Sequence, residues 1–198
     1  MADERTELSD EQLAAVAAGG DGRALELLLD RHADRVHAVC RRIVTHPEDA
    51  LDATQEALIA IARNIGRFDG RSRLTTWIYR IATTAALDEL RRRTRRPVTG
   101  FAADIAEEGG ERAPASEPME TEAVEARLDV DAALREVPGE FRVAVVLRDL
   151  ADLDHAEVAE ALDIPIGTVK SRVARGRASL RAVLGNPQAV SGRPSEQP

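Results

Sequence analysis

Apolar residues recur along this chain at spacings of three and four, and that rhythm predicts helices over most of its length. Leu8 to Ala18 reads as a short first helix with Ser9 or Asp10 as its cap, ended by Gly19-Gly20-Asp21-Gly22. A longer helix follows from about Arg23 to Val44, with Leu25, Leu28, Leu29, Val36, Val39 and Ile43 as its apolar stripe. Thr45-His46-Pro47 breaks it, and Pro47 with Glu48 and Asp49 opens a helix running to about Ile65, with Leu51, Leu58, Ile61 and Ile65 inward. Arg67 to Arg73 is rich in turn residues, and Thr75 or Thr76 can cap a helix that turns Leu74, Ile78, Ile81 and Ala85 inward.

Periodicity then lapses. From Pro97 to about Met119 the chain is Pro, Gly, Ala and Glu without a repeat, as expected of a flexible linker. It resumes at Thr121 to Val137, where Val124, Leu128 and Leu134 define a stripe that Pro138-Gly139 stops. The valines of Phe141 to Leu150 invite a strand, but no pairing strand is available, and Phe141, Ala144, Leu147 and Leu150 fit a helix. The last ordered stretch is two helices around a tight turn. Asp154 and Glu157 form a capping-box start for Ala156 to Leu162, Asp163 to Gly167 breaks the helix, and a second begins near Thr168 with Val169, Val173, Leu180 and Leu184 buried. Gly185 to Pro198 is a polar tail expected to be disordered. The fold class predicted is all-α, with two small helical domains at about residues 8–96 and 120–184 joined by an acidic linker at 97–119.

Composition sharpens the picture through charge. The net charge is −8, which would repel nucleic acid unless positive charge is segregated. It is: Arg91-Arg92-Arg93-Thr94-Arg95-Arg96 and the last helix are basic, whereas Asp104 to Glu125 is acidic. The single cysteine, Cys40, precludes an intrachain disulfide, and His37 three residues earlier does not complete a zinc site. No cofactor or metal is expected. No apolar run is long enough to span a bilayer, and Met1 to Asp10 is too polar for a signal peptide, so no membrane insertion and a cytoplasmic location are expected.

Candidate chemistry lies on three helical faces. At about 100° per residue, Ser171, Ala174, Arg175 and Ala178 point away from the buried stripe of the last helix, while Lys170 and Arg181 flank it and Arg172 borders it. Small residues beside arginine forks suit entry into a major groove, as in a helix-turn-helix; a solvated arginine face is the plainer alternative. Trp77, Arg80, Thr84, Asp88 and Arg91 share a second face, fed by the loop Arg71-Ser72-Arg73, and an aromatic beside arginines suits unstacked bases. Trp77 also reads as simple core. The third face sets Ile59 with Asp52, Glu56 and Arg63, and an apolar residue among charges points to a protein partner; the two carboxylates as metal ligands lack the Glu-x-x-His partners of a diiron bundle.

Several of these segments together resemble bacterial RNA polymerase sigma factors of the extracytoplasmic-function group. Asp49-Ala50-Leu51-Asp52-Ala53-Thr54-Gln55-Glu56 is similar to the family's segment that grips a coiled coil of the polymerase's largest subunit, which implies polymerase binding by Asp52, Gln55, Glu56 and Ile59. Phe68-Asp69-Gly70-Arg71-Ser72, Thr76 to Ala82 and Asp88 to Arg93 resemble its promoter-melting region, implying that Arg71, Ser72, Arg73, Trp77, Arg80, Thr84 and Arg91 meet the melted downstream (−10) element. Thr84 departs from the family's usual asparagine, which puts the identity of the captured base in doubt. Ile164 to Arg172 and Arg175-Gly176-Arg177 resemble its upstream (−35) reader, implying duplex contacts by Thr168, Lys170, Ser171, Arg172 and Arg175. The partners implied are core RNA polymerase and promoter DNA; an anti-sigma factor is suggested by the family alone. No nucleophile, base and orienting group occur together, so no enzyme is expected. A one-component helix-turn-helix regulator and a protein-binding helical adaptor are the alternatives.

Overall fold

The computed structural model describes residues 4–95 and 130–185. Among these residues every regular element is helical. The linker at 97–119, the first part of the helix from Thr121, and the tail beyond Gly185 lie outside the described residues.

After a 3₁₀ turn, α1 spans Asp10–Ala18. It starts on a capping box: the Ser9 hydroxyl accepts from the Gln12 N–H at 3.3 Å and the Gln12 side chain accepts from the Ser9 N–H at 2.8 Å. α2 spans Gly22–Val44, capped by the Asp21 carboxylate and ended at Thr45 in the left-handed region, φ 70°. α3 spans Pro47–Asn64, with proline in its first turn. α4 spans Leu74–Arg95. Helices α2, α3 and α4 pack against one another, and α1 lies on α2.

The C-terminal group begins with α5, helical over residues 130–136. α6 (Gly139–Val145) runs into a π-helical turn, Val146–Leu150, and α7 (His155–Leu162) and α8 (Ile166–Leu184) follow. α8 packs on α6 and α7, while α7 lies against α4 and the π turn against α2. Residues 142–147 are therefore buried all round, because this stretch faces its own group on one side and α2 on the other.

Expectations of capping, burial and helix start are corrected by these contacts. Thr75 and Thr76 lie inside α4 rather than capping it: the Trp77 N–H already bonds to the Arg73 carbonyl. The Thr76 hydroxyl donates instead to Glu157 of α7 at 2.8 Å, a partner no local rule could supply. Leu51 is exposed (53%) because α3 buries Ala50, Ala53, Thr54, Ala57 and Ile61; small side chains let it approach its neighbours closely. Leu150 and Leu184 are also exposed, at the ends of elements where packing has run out. α8 starts at Ile166, two residues before the expected Thr168, with Pro165 as its N-terminal boundary.

Candidate nucleic-acid interface

The helix-turn-helix is built from local chemistry. The Asp154 carboxylate accepts from the N–H groups of Ala156 and Glu157 at 2.7 and 2.9 Å, and Glu157 returns to the Asp154 N–H at 2.8 Å. Those backbone donors hold the Asp154 carboxyl below the usual carboxylate range. Asp163, in the left-handed region at φ 53°, ends α7. Val169, Val173 and Gly176 face inward from α8, while Lys170, Ser171, Ala174, Arg175 and Ala178 are exposed. Thr168 and Arg172 are half-buried. The outward face predicted for this helix is thus open, with small residues between basic ones, a shape that can enter a major groove.

Sequence reasoning missed the packing role of Gly176. A Cβ at that position would lie 2.4 Å from Val145 Cγ2 and 3.0 Å from the Phe141 carbonyl oxygen, so α8 rides directly on the α6 backbone. The Arg-Gly-Arg spacing was the available signal.

A groove of about 450 Å³ runs between α3 and α4, lined by Trp77, Arg80, Thr84 and Asp88 with Glu56, Asn64, Arg67 and Arg92. It brings together Trp77, Arg80 and Thr84 of the second predicted face. Trp77 is half-buried and tilts against Phe68, ring centroids 5.5 Å apart, so it serves core and groove at once. The Thr84 hydroxyl donates to the Arg80 carbonyl at 2.9 Å. Arg92, rather than Arg91, closes the groove: Ile81 and Ala85 line it too, which turns the face toward that side of the helix. Arg91 pairs with Asp88 at 2.7 Å.

The loop residues part company with this groove. Arg71 pairs with Asp69 at 3.2 Å, and Ser72 is half-buried in the turn. Arg73 lies 3.5 Å from Glu157 and lines a separate cavity between the two helical groups. On α3, Asp52, Gln55, Glu56 and Ile59 are all exposed, with Ile59 at 43%, and exposed Leu51 extends the same stripe. His37 and Cys40 are engaged elsewhere: His37 Nδ1 is 3.1 Å from the Thr54 hydroxyl, and the Cys40 thiol, whose pKa burial pushes up to about 11, faces the Ala82 carbonyl.

Comparison with known proteins matches this architecture twice. The sigma-70 region 2 family profile matches residues 28–96 and the sigma-70 region 4 profile residues 127–180. The chain is 36% identical over 181 residues to the ECF RNA polymerase sigma factor SigM of Mycobacterium tuberculosis, covering 91% of this chain and 87% of that protein. It is 33% identical over 191 residues to the RNA polymerase sigma-H factor of Pseudomonas aeruginosa, covering 90% and 95%. SigE of Mycolicibacterium smegmatis is 37% identical over 182 residues; the match covers 86% of this chain and 66% of that protein. In fold the chain is similar to CnrH, solved with the cytosolic domain of CnrY (TM-score 0.63, 24% identity, 89% and 97% of the two chains). It is likewise similar to the sigma factor RpoE of Bartonella quintana, solved with the anti-sigma factor NepR (TM-score 0.62, 22% identity, 80% and 95%). With region 2 and region 4 in order on one chain and whole-length relatives in the same group, the chain belongs to the sigma-70 family, as an extracytoplasmic-function RNA polymerase sigma factor that directs transcription initiation at promoter DNA.

Proposed function

We propose that this sigma factor divides its work among three faces. The exposed stripe of α3, Leu51, Asp52, Gln55, Glu56 and Ile59, grips core polymerase. The groove of Trp77, Arg80, Thr84 and Arg92 takes the melted downstream strand, with Arg91 beside it and Arg71, Ser72 and Arg73 of the preceding loop serving the same element from outside the groove. The α8 face of Thr168, Lys170, Ser171, Arg172 and Arg175 meets the upstream duplex. The observation that carries this reading is the position of Glu56, which belongs to the exposed α3 stripe and also lines the Trp77 groove. Grip and strand capture thus sit on adjoining sides of one helix, so DNA opened at the groove is opened beside the polymerase.

The chain performs no chemistry of its own in this reading, since nucleotide joining belongs to the polymerase, and it works in the cytoplasm, where the polymerase is. Its domains are residues 8–96 and 120–184, with 97–119 as the acidic connection and 185–198 as the tail. Two structural relatives were solved with the cytosolic domain of CnrY and with the anti-sigma factor NepR, and an anti-sigma factor is part of the proposal here.

An apolar anchor among charged residues is a common form of interface hot spot. Ile59→Glu is expected to abolish co-elution with core polymerase while leaving helicity and thermal unfolding close to wild type, because Ile59 is exposed in the free chain. Wild-type co-elution by this variant would move the grip off α3.

A further inference from the structure

The arginines of α8 are held in unlike ways by the segment beneath it. Arg172 Nη2 lies 3.0 Å from Glu140 Oε2, one residue into α6. Arg177 makes a two-point pair with Asp149 of the π turn, at 2.8 and 2.5 Å. Both forks are thereby directed at carboxylates of the protein itself. Arg175 differs: its guanidinium carbon lies over the ring of Phe141, 5.7 Å from the centroid.

That difference has a chemical consequence. A carboxylate engages the N–H donors with which an arginine would read a guanine edge, whereas the face of an aromatic ring attracts the charge and leaves a fork of donors to point elsewhere. The height of the ring is also fixed. At Gly176 the helix α8 rides on the Phe141 backbone and on Val145, with no room for a side chain between them. The Phe141 backbone is thus set by a close contact between the two helices, one residue away from the arginine it supports. An exposed arginine has many rotamers to lose on binding; one already drawn over a ring has fewer.

We propose that Phe141 is a positioning residue for Arg175 and through it a determinant of base preference in the upstream element. The proposal rests on the reading that the α8 face meets the upstream duplex. It gives α6, outside the helix-turn-helix, a part in specificity, and it separates Arg175 as the reading arginine from Arg172 and Arg177, whose first partners are Glu140 and Asp149.

The test uses the full chain assembled with core polymerase, on a promoter pool randomised across the upstream element, with the bound fraction sequenced to give a preference at each position. Arg175→Ala is expected to flatten one position or two adjacent ones. Phe141→Leu, which keeps an apolar side chain but loses the ring, should weaken preference at those same positions by about two- to five-fold and leave the others unchanged. Phe141→Tyr should restore the wild-type profile, and Phe141→Leu combined with Arg175→Ala should be no flatter than Arg175→Ala alone. If Arg175→Ala flattens its position while Phe141→Leu keeps the wild-type profile, the positioning role is overturned and the reading of α8 stands. Equal weakening at every position in Phe141→Leu also overturns it, by making Phe141 a residue of the fold only. If Arg175→Ala itself changes no position, the reading of α8 fails and the proposal with it.

Discussion

Single residues show most clearly what a linear reading can and cannot reach. The outward set on α8 followed from angular counting alone, since Ser171, Ala174, Arg175 and Ala178 are exposed as expected. The glycine between Arg175 and Arg177 marked the position without giving its reason, which lies on another helix: a side chain there would meet Val145 and the Phe141 carbonyl oxygen. Gly176→Ala therefore sets two effects against each other. Alanine gains about 1 kcal/mol in helix propensity, while forcing a methyl group into a filled contact costs about 1–3 kcal/mol. Because Val145 is β-branched and the other neighbour is backbone, neither yields easily, and a net loss is expected as a lower denaturant midpoint with an unchanged slope. A raised midpoint would mean that α8 can lift off α6 at little cost.

At the scale of elements, boundaries were legible where the chemistry was local and inward faces were not always so. Ser9 and Asp154 cap their helices through their own side chains, so short patterns located α1 and α7, whereas the cap by Asp21 on α2 was not read from the sequence. The buried side of α3 was harder because it is made largely of alanines, and a hydropathy stripe favours the bulkier Leu51, which is exposed. Thr76 was misread because a threonine at the start of a helix is ordinarily a cap, and only tertiary contact with Glu157 shows otherwise. The Asp154 cap has a pH signature. Its folded pKa is lowered from 3.8, chiefly by the N–H groups of Glu157 and Ala156. Its charge-dependent contribution is complete above that ordinary value and is lost as pH falls through the folded one. Asn caps about as well as Asp but does not titrate, so the stability of wild type relative to Asp154→Asn should decline as pH drops below 3.8. Thermal unfolding of both proteins across that range checks it, and a constant difference would show that the carboxylate charge contributes nothing to the cap.

The whole molecule was the least legible level. Two helical groups and their order along the chain could be read from the lapse in periodicity, but nothing in either group announced how closely they lie. Asp131 of α5, buried, pairs with both Arg41 and Arg42 of α2, and Arg73 and Thr76 of α4 meet Glu157 of α7. Charged partners 90 residues apart leave no periodic trace. Asp131→Asn removes the charge that Arg41 and Arg42 share; as the arginines are partly exposed, a loss of about 1–2 kcal/mol is expected, short of that for a fully buried pair. Small-angle X-ray scattering should then report a larger radius of gyration than for wild type, and an identical one would show that the remaining contacts hold the groups without this charge. The central claim is that polymerase grip and strand opening are separate functions on adjoining sides of α3. It is tested most directly by measuring transcript yield from core polymerase with each variant, on a duplex promoter and on the same promoter already opened by a mismatched bubble. The account predicts that Trp77→Ala and Ile59→Glu both fail on the duplex, and that the open template restores Trp77→Ala but not Ile59→Glu. Restoration of Ile59→Glu, or continued failure of Trp77→Ala on the open template, would contradict it.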